Sequence, residues 1–177
     1  PMSARRQRQM CIRDRSKTSP LEHNCSGKHS AFLATCKKLN WPIESYLKGD
    51  HPLQIEIFRI VSELLEIPFS EINAECDDCG APTLYLKLLE MSKLYALLSS
   101  SENAELEQIS RAMTLNPLMI SDNNKFDTEI IKASHGQVIG KGGAEGIQCL
   151  CKVNEGIGLS LKVEDGSKRA KHAVSLH

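Results

Sequence analysis

Apolar positions recur at helical spacing up to residue 134, and this pattern predicts a series of helices. After Pro52, a row of five apolar residues falls on one helical face, and Pro68 marks the end because proline interrupts a helix. The residues of that row are Ile57, Ile60, Val61, Leu64 and Leu65. The helices predicted in this way cover residues 28–39, 52–67, 84–98, 102–115 and 128–133.

From residue 135 onwards the pattern changes to short strands separated by turns. His135-Gly136 predicts a turn, and residues 154–156 predict the turn of a hairpin. The predicted strands are residues 138–141, 147–153 and 157–163, with a final helix at 169–176. Helices followed by antiparallel strands and a C-terminal helix indicate an α+β fold, with a helical part at 21–134 and a strand part at 135–177.

Length and composition fit a single soluble globular domain. The chain has 177 residues, of which 41% are apolar and 25% are charged, and this length is enough to bury a core. No apolar run reaches the roughly 18 residues that a membrane span needs, and no signal-peptide core is present. Seven cysteines are an odd number in a chain that is not a small secreted scaffold, so we expect reduced thiols and a cytoplasmic protein.

Residues 1–20 differ from the rest of the chain in charge and in apolar content. Residues 1–17 contain six Lys or Arg and one Asp, a balance of +5, and because the whole chain is neutral the remainder carries −5. This acidic remainder argues against nucleic acid as a partner, while residues 1–20 are compatible with a disordered basic arm or a nucleic-acid-binding arm. The interpretation that we favour is that part of this segment is not native protein, since Met10–Arg15 resembles translated sequencing-adapter read-through.

The densest group of reactive side chains is the heptapeptide His23–His29, with the sequence HNCSGKH. It contains a thiol, a hydroxyl, an ammonium group and two imidazoles, and each of these is costly to bury without a partner. Since a predicted helix follows, these groups lie at a loop-to-helix junction, where backbone N–H groups favour anions and thiolates. Cys25 and Lys28 are three residues apart and can face each other, so the ammonium group favours the thiolate. The alternative is a capped helix start with a buried cysteine.

Two pairs of cysteines lie close together in the sequence. Cys76 and Cys79 form a CxxC in a polar loop, with Asp77 beside Cys79. This pattern is compatible with a redox motif, a zinc site or a plain loop, but the chain has one CxxC and no βαβ context. Cys149 and Cys151 lie in a predicted strand with both side chains on one face, and we interpret them as core packing.

A lysine stands at the end of the first predicted strand, in the sequence GKGGAEG at residues 140–146. This is not a phosphate-binding P-loop, because the GxxxxGK[ST] spacing is missing. Lys141 followed by small residues places an ammonium group beside open backbone donors, which suits an oxyanion or a substrate carboxylate. The alternative is a glycine-rich hairpin with a solvated lysine.

Taken together, these motifs resemble the L-asparaginase II family, the Rhizobium-type asparaginases, from about residue 21 to residue 177. The shared motifs occur in the same order as in the family, which argues against chance agreement. They are the heptapeptide 23–29, Trp41, Tyr46, HPxQ at 51–54, DxCGxP at 77–82, KxGAEG at 141–146, LKV at 161–163 and DGxxRA at 165–170.

The resemblance implies a fold similar to that of serine β-lactamases and penicillin-binding proteins, a homodimer, and hydrolysis of L-asparagine to L-aspartate and ammonia. In the family the nucleophilic serines belong to an N-terminal segment with a Ser-x-x-Lys element, and a lysine of the later strand, here Lys141, assists. The resemblance also implies a modulatory zinc ion held by two cysteines and a lysine, which carry over to Cys25, Lys28 and Cys79. The substrate-binding residues that follow from the matched motifs are His23, Ser26, Asp77 and Gly143.

The sequence departs from the family pattern in two places. Asp78 stands where the family usually has a small residue, which adds a charge beside the candidate metal site. Nothing before residue 21 resembles the family's N-terminal segment, so we expect a truncated chain with little or no activity by itself. The rival hypothesis is a non-catalytic zinc-binding or regulatory domain built on Cys25, Lys28, Cys76 and Cys79.

Overall fold

A computed structural model of the chain describes Leu21, His23 and residues 25–177. The predictions made for residues 1–20 lie outside this described part. The chain divides into two compact units, the first ending at Tyr85 and the second running from Leu86 to His177. Among the described residues, no helix combines the length and the apolar character that crossing a bilayer requires.

The first unit contains two helices and a β-hairpin. Its elements are α1 (Ser26–Lys38), α2 (Pro52–Leu65), a 3-10 turn (Phe69–Glu71), β1 (Asn73–Cys76) and β2 (Pro82–Tyr85). Both helices were predicted to within two residues at each end. The hairpin was not predicted, because its four-residue strands are largely exposed and have no apolar alternation. Backbone pairing, with Cys76 opposite Pro82, defines these strands instead.

The start of α2 shows what the HPxQ motif does in this fold. The His51 side chain accepts a hydrogen bond from Leu53 N at 3.1 Å through Nδ1, and its Nε2 donates to Pro42 O at 2.8 Å. Gln54, almost completely buried, donates to Tyr46 O at 2.8 Å. His51 therefore caps the helix, and Gln54 ties the preceding loop to it.

The second unit combines a three-stranded antiparallel sheet with five helices in the described part of the chain. The helices are α3 (Leu88–Ser99), α4 (Ala104–Leu115), α5 (Pro117–Ile120), α6 (Phe126–Ala133) and α7 (Lys171–Ser175). The strands are β3 (Val138–Gly142), β4 (Ile147–Lys152) and β5 (Ile157–Lys162), in the order β3-β4-β5. This arrangement confirms the predicted α+β class and the order of its elements.

One predicted helix start was wrong. The helix predicted from Leu84 begins only at Leu88, because the preceding residues pair as β2. The cap of α4 is Asn103, whose side chain accepts from Leu106 N at 2.9 Å. The short helix α5 was not among the predicted elements; its first residue is a proline, as is common at the first turn.

The core of the second unit lies between α3 and the sheet. Cys149 and Cys151 on β4 are each 3% exposed, which confirms that this pair of thiols packs in the core. At Gly158 on β5, a Cβ atom would lie 2.1 Å from Ser92 O and 2.4 Å from Ala96 N. Only glycine therefore permits α3 to approach β5 this closely.

Candidate functional site

The first turn of α1 carries most of the chemistry of the heptapeptide. Cys25 is the residue that precedes the helix, and its side chain makes no capping hydrogen bond. The Cys25 backbone N–H donates to His23 Nδ1 at 3.1 Å, and Ser26 N donates to His23 O at 2.9 Å. This turn holds the His23 imidazole beside the cysteine.

The loop between β1 and β2 brings a second thiol to the same place. Asp77 Oδ1 accepts hydrogen bonds from the backbone N–H groups of Cys79 at 2.8 Å and Ala81 at 2.9 Å. The ligand atoms of His23, Cys25 and Cys79 consequently lie within 4.8 Å of one another. We call these three residues the His23 group.

Lys28 contacts Asp77 through an ion pair between its ammonium group and the carboxylate Oδ2. Burial lowers the pKa of Lys28, but the hydrogen bond to Asp77 and the negative charges around it outweigh burial and raise that pKa overall. Burial acts to raise the pKa of Asp77, yet the bond from Lys28 and the two backbone N–H groups bring it below its usual range. Both groups are therefore charged at neutral pH.

The Cys79 thiol lies near Lys28, but the lysine does not lower its pKa overall. Burial raises the pKa of Cys79, and the hydrogen bond with Cys25 and the charges of Cys25 and Asp77 act in the same direction. Lys28 opposes them and is outweighed, because its charge is already paired with Asp77. In the absence of a metal the thiol form of Cys79 is thus the stable one at neutral pH.

The His23 group fits a zinc ion in its donor chemistry. Two sulfurs and an imidazole nitrogen are ligands that zinc prefers, at about 2.0–2.3 Å, so ligand atoms on one ion lie about 4 Å apart. The observed spread of up to 4.8 Å needs only a small closure of the loop. Lys28, the third ligand implied by the family resemblance, bonds to Asp77 here, while Cys76 is exposed and is not one of the three donors.

The second imidazole of the heptapeptide has a different environment. His29 Nδ1 lies 2.8 Å from the Tyr46 hydroxyl, and the two rings meet edge to face with centroids 5.8 Å apart. The backbone carbonyl oxygen of Tyr46 in turn accepts a hydrogen bond from the Gln54 side chain. His29 therefore anchors α1 to the loop before α2, a role that the sequence pattern did not distinguish from ligand binding.

The second unit holds the two remaining predicted site residues, Lys141 and Gly143. The Lys141 side chain is half exposed, donates to Gly142 O at 2.7 Å, and lies 4.0 Å from Asp127 Oδ2. The Gly143 N–H donates to Ile147 O at 2.9 Å and closes the turn that follows β3. This donor is occupied by the turn, whereas the sequence analysis expected open donors after Lys141.

Sequence reasoning missed Asp127, a buried carboxylate on α6. It stands just before the predicted helix 128–133, where an exposed acidic residue is common, so the pattern carried no sign of burial. The other six predicted site residues lie in the first unit. They are His23, Cys25, Ser26, Lys28, Asp77 and Cys79.

Comparison with known protein families agrees with the motifs. The family model described as L-asparaginase II matches residues 1–177, which is the whole chain. No curated protein matches the chain. The family resemblance that the ordered motifs predicted is thereby confirmed, and the match also covers residues 1–20, which the prediction had placed outside it.

Proposed function

We propose that this chain, which belongs to the L-asparaginase II family, carries the substrate-binding part of an amidohydrolase that converts L-asparagine to L-aspartate and ammonia. The match of the family model over the whole chain is the observation that carries the proposal. The half-exposed Lys141 ammonium group supports it, because the carboxylate of an amino-acid substrate needs a positive charge to bind.

The proposed reaction is acyl transfer. A serine oxygen, which the resemblance assigns to a Ser-x-x-Lys segment, adds to the side-chain amide carbon of asparagine; the amide nitrogen leaves as ammonia, and water then cleaves the ester. Lys141 assists as a base when neutral or as a cation facing the developing oxyanion. We propose substrate contacts for His23, Ser26, Asp77 and Gly143.

Calorimetric titration of the chain with L-asparagine, together with an assay of ammonia release, tests this function. We expect binding that weakens about tenfold in Lys141→Ala, the effect of losing one charge-assisted hydrogen bond. Lys162→Ala is the matched control, because Lys162 also donates to the carbonyl of the next residue at 2.7 Å. Failure of the folded protein to bind L-asparagine or L-aspartate at millimolar concentration contradicts the proposal.

A second proposal is that the His23 group binds zinc. It rests on the three donors that lie within 4.8 Å of one another. Bound zinc would cross-link the start of α1 to the loop between β1 and β2, and so modulate substrate binding or, in the rival hypothesis, stabilise a non-catalytic regulatory domain. With Lys28 bonded to Asp77, we propose His23 as the third protein ligand.

Zinc titration of single variants separates these ligand sets. Cys25→Ser, Cys79→Ser and His23→Ala should each lower zinc affinity at least tenfold, the usual scale for a ligand or its support. Cys76→Ser is the matched control, since this exposed cysteine is outside the His23 group. Lys28→Met should retain zinc; a loss as large as that in Cys25→Ser would instead identify Lys28 as the ligand.

The remaining implications of the family resemblance are proposals of the same kind. They are a fold similar to serine β-lactamases, a homodimer and a cytoplasmic location. The six described cysteines are free thiols, which supports a reducing compartment. Light scattering after gel filtration tests the dimer.

A further inference from the structure

Asp127 lies at the centre of a buried polar network in the second unit. The residue is 8% exposed, and both of its carboxylate oxygens accept hydrogen bonds. Oδ1 accepts from Gln148 Nε2 on β4 at 2.8 Å, and Oδ2 accepts from Gly142 N on β3 at 2.8 Å. One carboxylate therefore ties α6 to the ends of two paired strands.

The Asp127 carboxylate also faces Lys141, the residue that precedes Gly142. Asp127 Oδ2 lies 4.0 Å from Lys141 Nζ, and the Lys141 side chain is 47% exposed while that of Asp127 is 11% exposed. Asp127 thus presents a fixed negative charge from inside the unit to an ammonium group at its surface. A carboxylate that only satisfied the backbone of the strand would not need this second contact.

Two further side chains surround the point where Asp127 meets the strand. Gln148 is completely buried, and its Oε1 has no hydrogen-bond partner among the described residues. Lys171, 5% exposed, reaches in from α7 and donates to Ile147 O at 3.2 Å. Polar groups from three elements therefore converge on the end of β3.

Gly142 is the residue on which they converge. A Cβ atom at this position would lie 2.7 Å from Lys171 Nζ, 3.2 Å from Gln148 Oε1 and 3.4 Å from Asp127 Oδ2. The network thus favours glycine next to Lys141, because a Cβ atom would displace the Lys171 ammonium group and crowd Gln148 Oε1 beside the carboxylate.

We infer that Asp127 is a positioning residue for Lys141, fixing the backbone after it and orienting its ammonium group, with Gln148 holding the carboxylate in place. This inference deepens the proposed function and rests on it in one respect, the role given there to Lys141. A reactive lysine on a half-exposed strand end needs such support, since an unrestrained lysine side chain samples many rotamers.

The test compares Asp127→Asn, which removes the charge at nearly constant size, with Asp127→Glu, which restores it. Asp122→Asn is the control, because Asp122 is exposed and its side chain accepts only from Asn123 N, at 2.7 Å, in the described contacts. The readout is the rate at which an acylating reagent labels Lys141 at pH 8, measured by mass spectrometry relative to Lys162 in the same molecules.

Lys162 is a suitable internal reference. It is exposed, it donates to Val163 O at 2.7 Å just as Lys141 donates to Gly142 O, and among the described residues it has no carboxylate within ion-pair distance. We expect the Lys141 to Lys162 labelling ratio to rise about threefold or more in Asp127→Asn, as the loss of one partly solvated ion pair predicts. Asp127→Glu should restore much of the parental ratio, and Asp122→Asn should leave it unchanged.

An unchanged ratio in folded Asp127→Asn overturns the inference. If that variant does not fold, Lys141→Glu and Lys141→Gln decide instead, because Glu would place a second carboxylate beside Asp127. We expect Lys141→Glu to melt about 3 °C or more below Lys141→Gln, while Lys162→Glu and Lys162→Gln melt alike. Equal melting of the two Lys141 variants overturns the inference as well.

Neither readout involves asparagine, so the two proposals fail separately. A labelling ratio that responds to Asp127 in a protein that does not bind L-asparagine supports the positioning role and contradicts the proposed substrate. If the protein binds L-asparagine but the labelling ratio does not change in Asp127→Asn, the proposed substrate is supported and the positioning role is contradicted. In a chain that turns over asparagine, the positioning role further predicts a fall in kcat with little change in KM.

Discussion

Lys28 and Asp77 are 49 residues apart in the sequence and form an ion pair that joins α1 to the loop between β1 and β2. The same carboxylate accepts from the backbone N–H groups of Cys79 and Ala81. Asp77 thus shapes the loop that carries Cys79, and through Lys28 it is also tied to α1, the helix that follows Cys25. This pair brings the two thiols of the His23 group together.

We predict that Asp77→Ala destabilises the first unit more than Lys28→Met does. Asp77→Ala leaves two backbone N–H groups without their acceptor and should cost about 2 kcal/mol. Lys28→Met removes an ion pair whose lysine side chain is 34% exposed, so it should cost less than about 1 kcal/mol. Urea unfolding followed by the fluorescence of Trp41, the one tryptophan of the chain, measures both values.

Asp78→Ala is the control for this comparison. Asp78 is the neighbouring carboxylate and is exposed, so its removal should change the free energy of unfolding by no more than about 0.5 kcal/mol. A larger cost for Lys28→Met than for Asp77→Ala would show that the ion pair, not the backbone contacts, holds the loop.

The buried thiols predict a loss of stability at alkaline pH. Burial raises the pKa of Cys151 from 9.0 to about 11. Because the unfolded thiol ionises first, its stabilising contribution is complete below pH 9 and is lost as the pH rises through about 11, a change of about 3 kcal/mol. Urea unfolding at several values between pH 8 and pH 11 should show a shallower decline in Cys151→Ala than in the parent protein.

Cys76→Ala serves as the control for the alkaline decline, because this cysteine is exposed and its removal should leave the slope unchanged. Parallel curves for Cys151→Ala and the parent would locate the pH dependence in other groups. The buried Cys149, whose pKa is also raised by burial, is the next residue to substitute in that case.

Thiol alkylation should divide the described cysteines into two classes. Cys36, Cys149 and Cys151 are at most 3% exposed and should react slowly in the folded protein, whereas Cys76 should react fast. In concentrated guanidinium chloride all of them should react at similar rates. Mass spectrometry of the alkylated peptides measures this, and fast alkylation of Cys149 in the folded protein would contradict the buried strand β4.

Gly158→Ala should destabilise the second unit by about 3 kcal/mol, because the new methyl group would meet backbone atoms of α3 that cannot move independently. Gly49→Ala is the control, since nothing lies within 4 Å of a Cβ at that position. Thermal unfolding monitored by circular dichroism compares the two variants. Equal melting temperatures would mean that α3 is not held against β5 as observed.

Much of the fold was predictable, and the main failure, the hairpin of β1 and β2, has a physical cause. Helix α2 and strand β4 follow from apolar positions that are buried in the structure. The hairpin of β1 and β2 has no such pattern, since hydrogen bonds between its strands stabilise it rather than an apolar face. The pattern of apolar and polar residues indicates which side chains are buried, but it does not indicate which strands pair through their backbones.

The candidate site, like the fold, was predictable only in part. Residue types and their spacing identified the candidates for the chemistry, namely the heptapeptide, Cys79 beside Asp77, and Lys141 in its glycine-rich turn, together with the family to which the chain belongs. The partners of these residues follow from tertiary contacts, in which Lys28 binds Asp77, His29 binds Tyr46, and Asp127 supports the strand of Lys141. Each of these contacts depends on where the chain returns after many residues. The free energy of a polar contact is set by that geometry and by burial rather than by neighbours in the sequence.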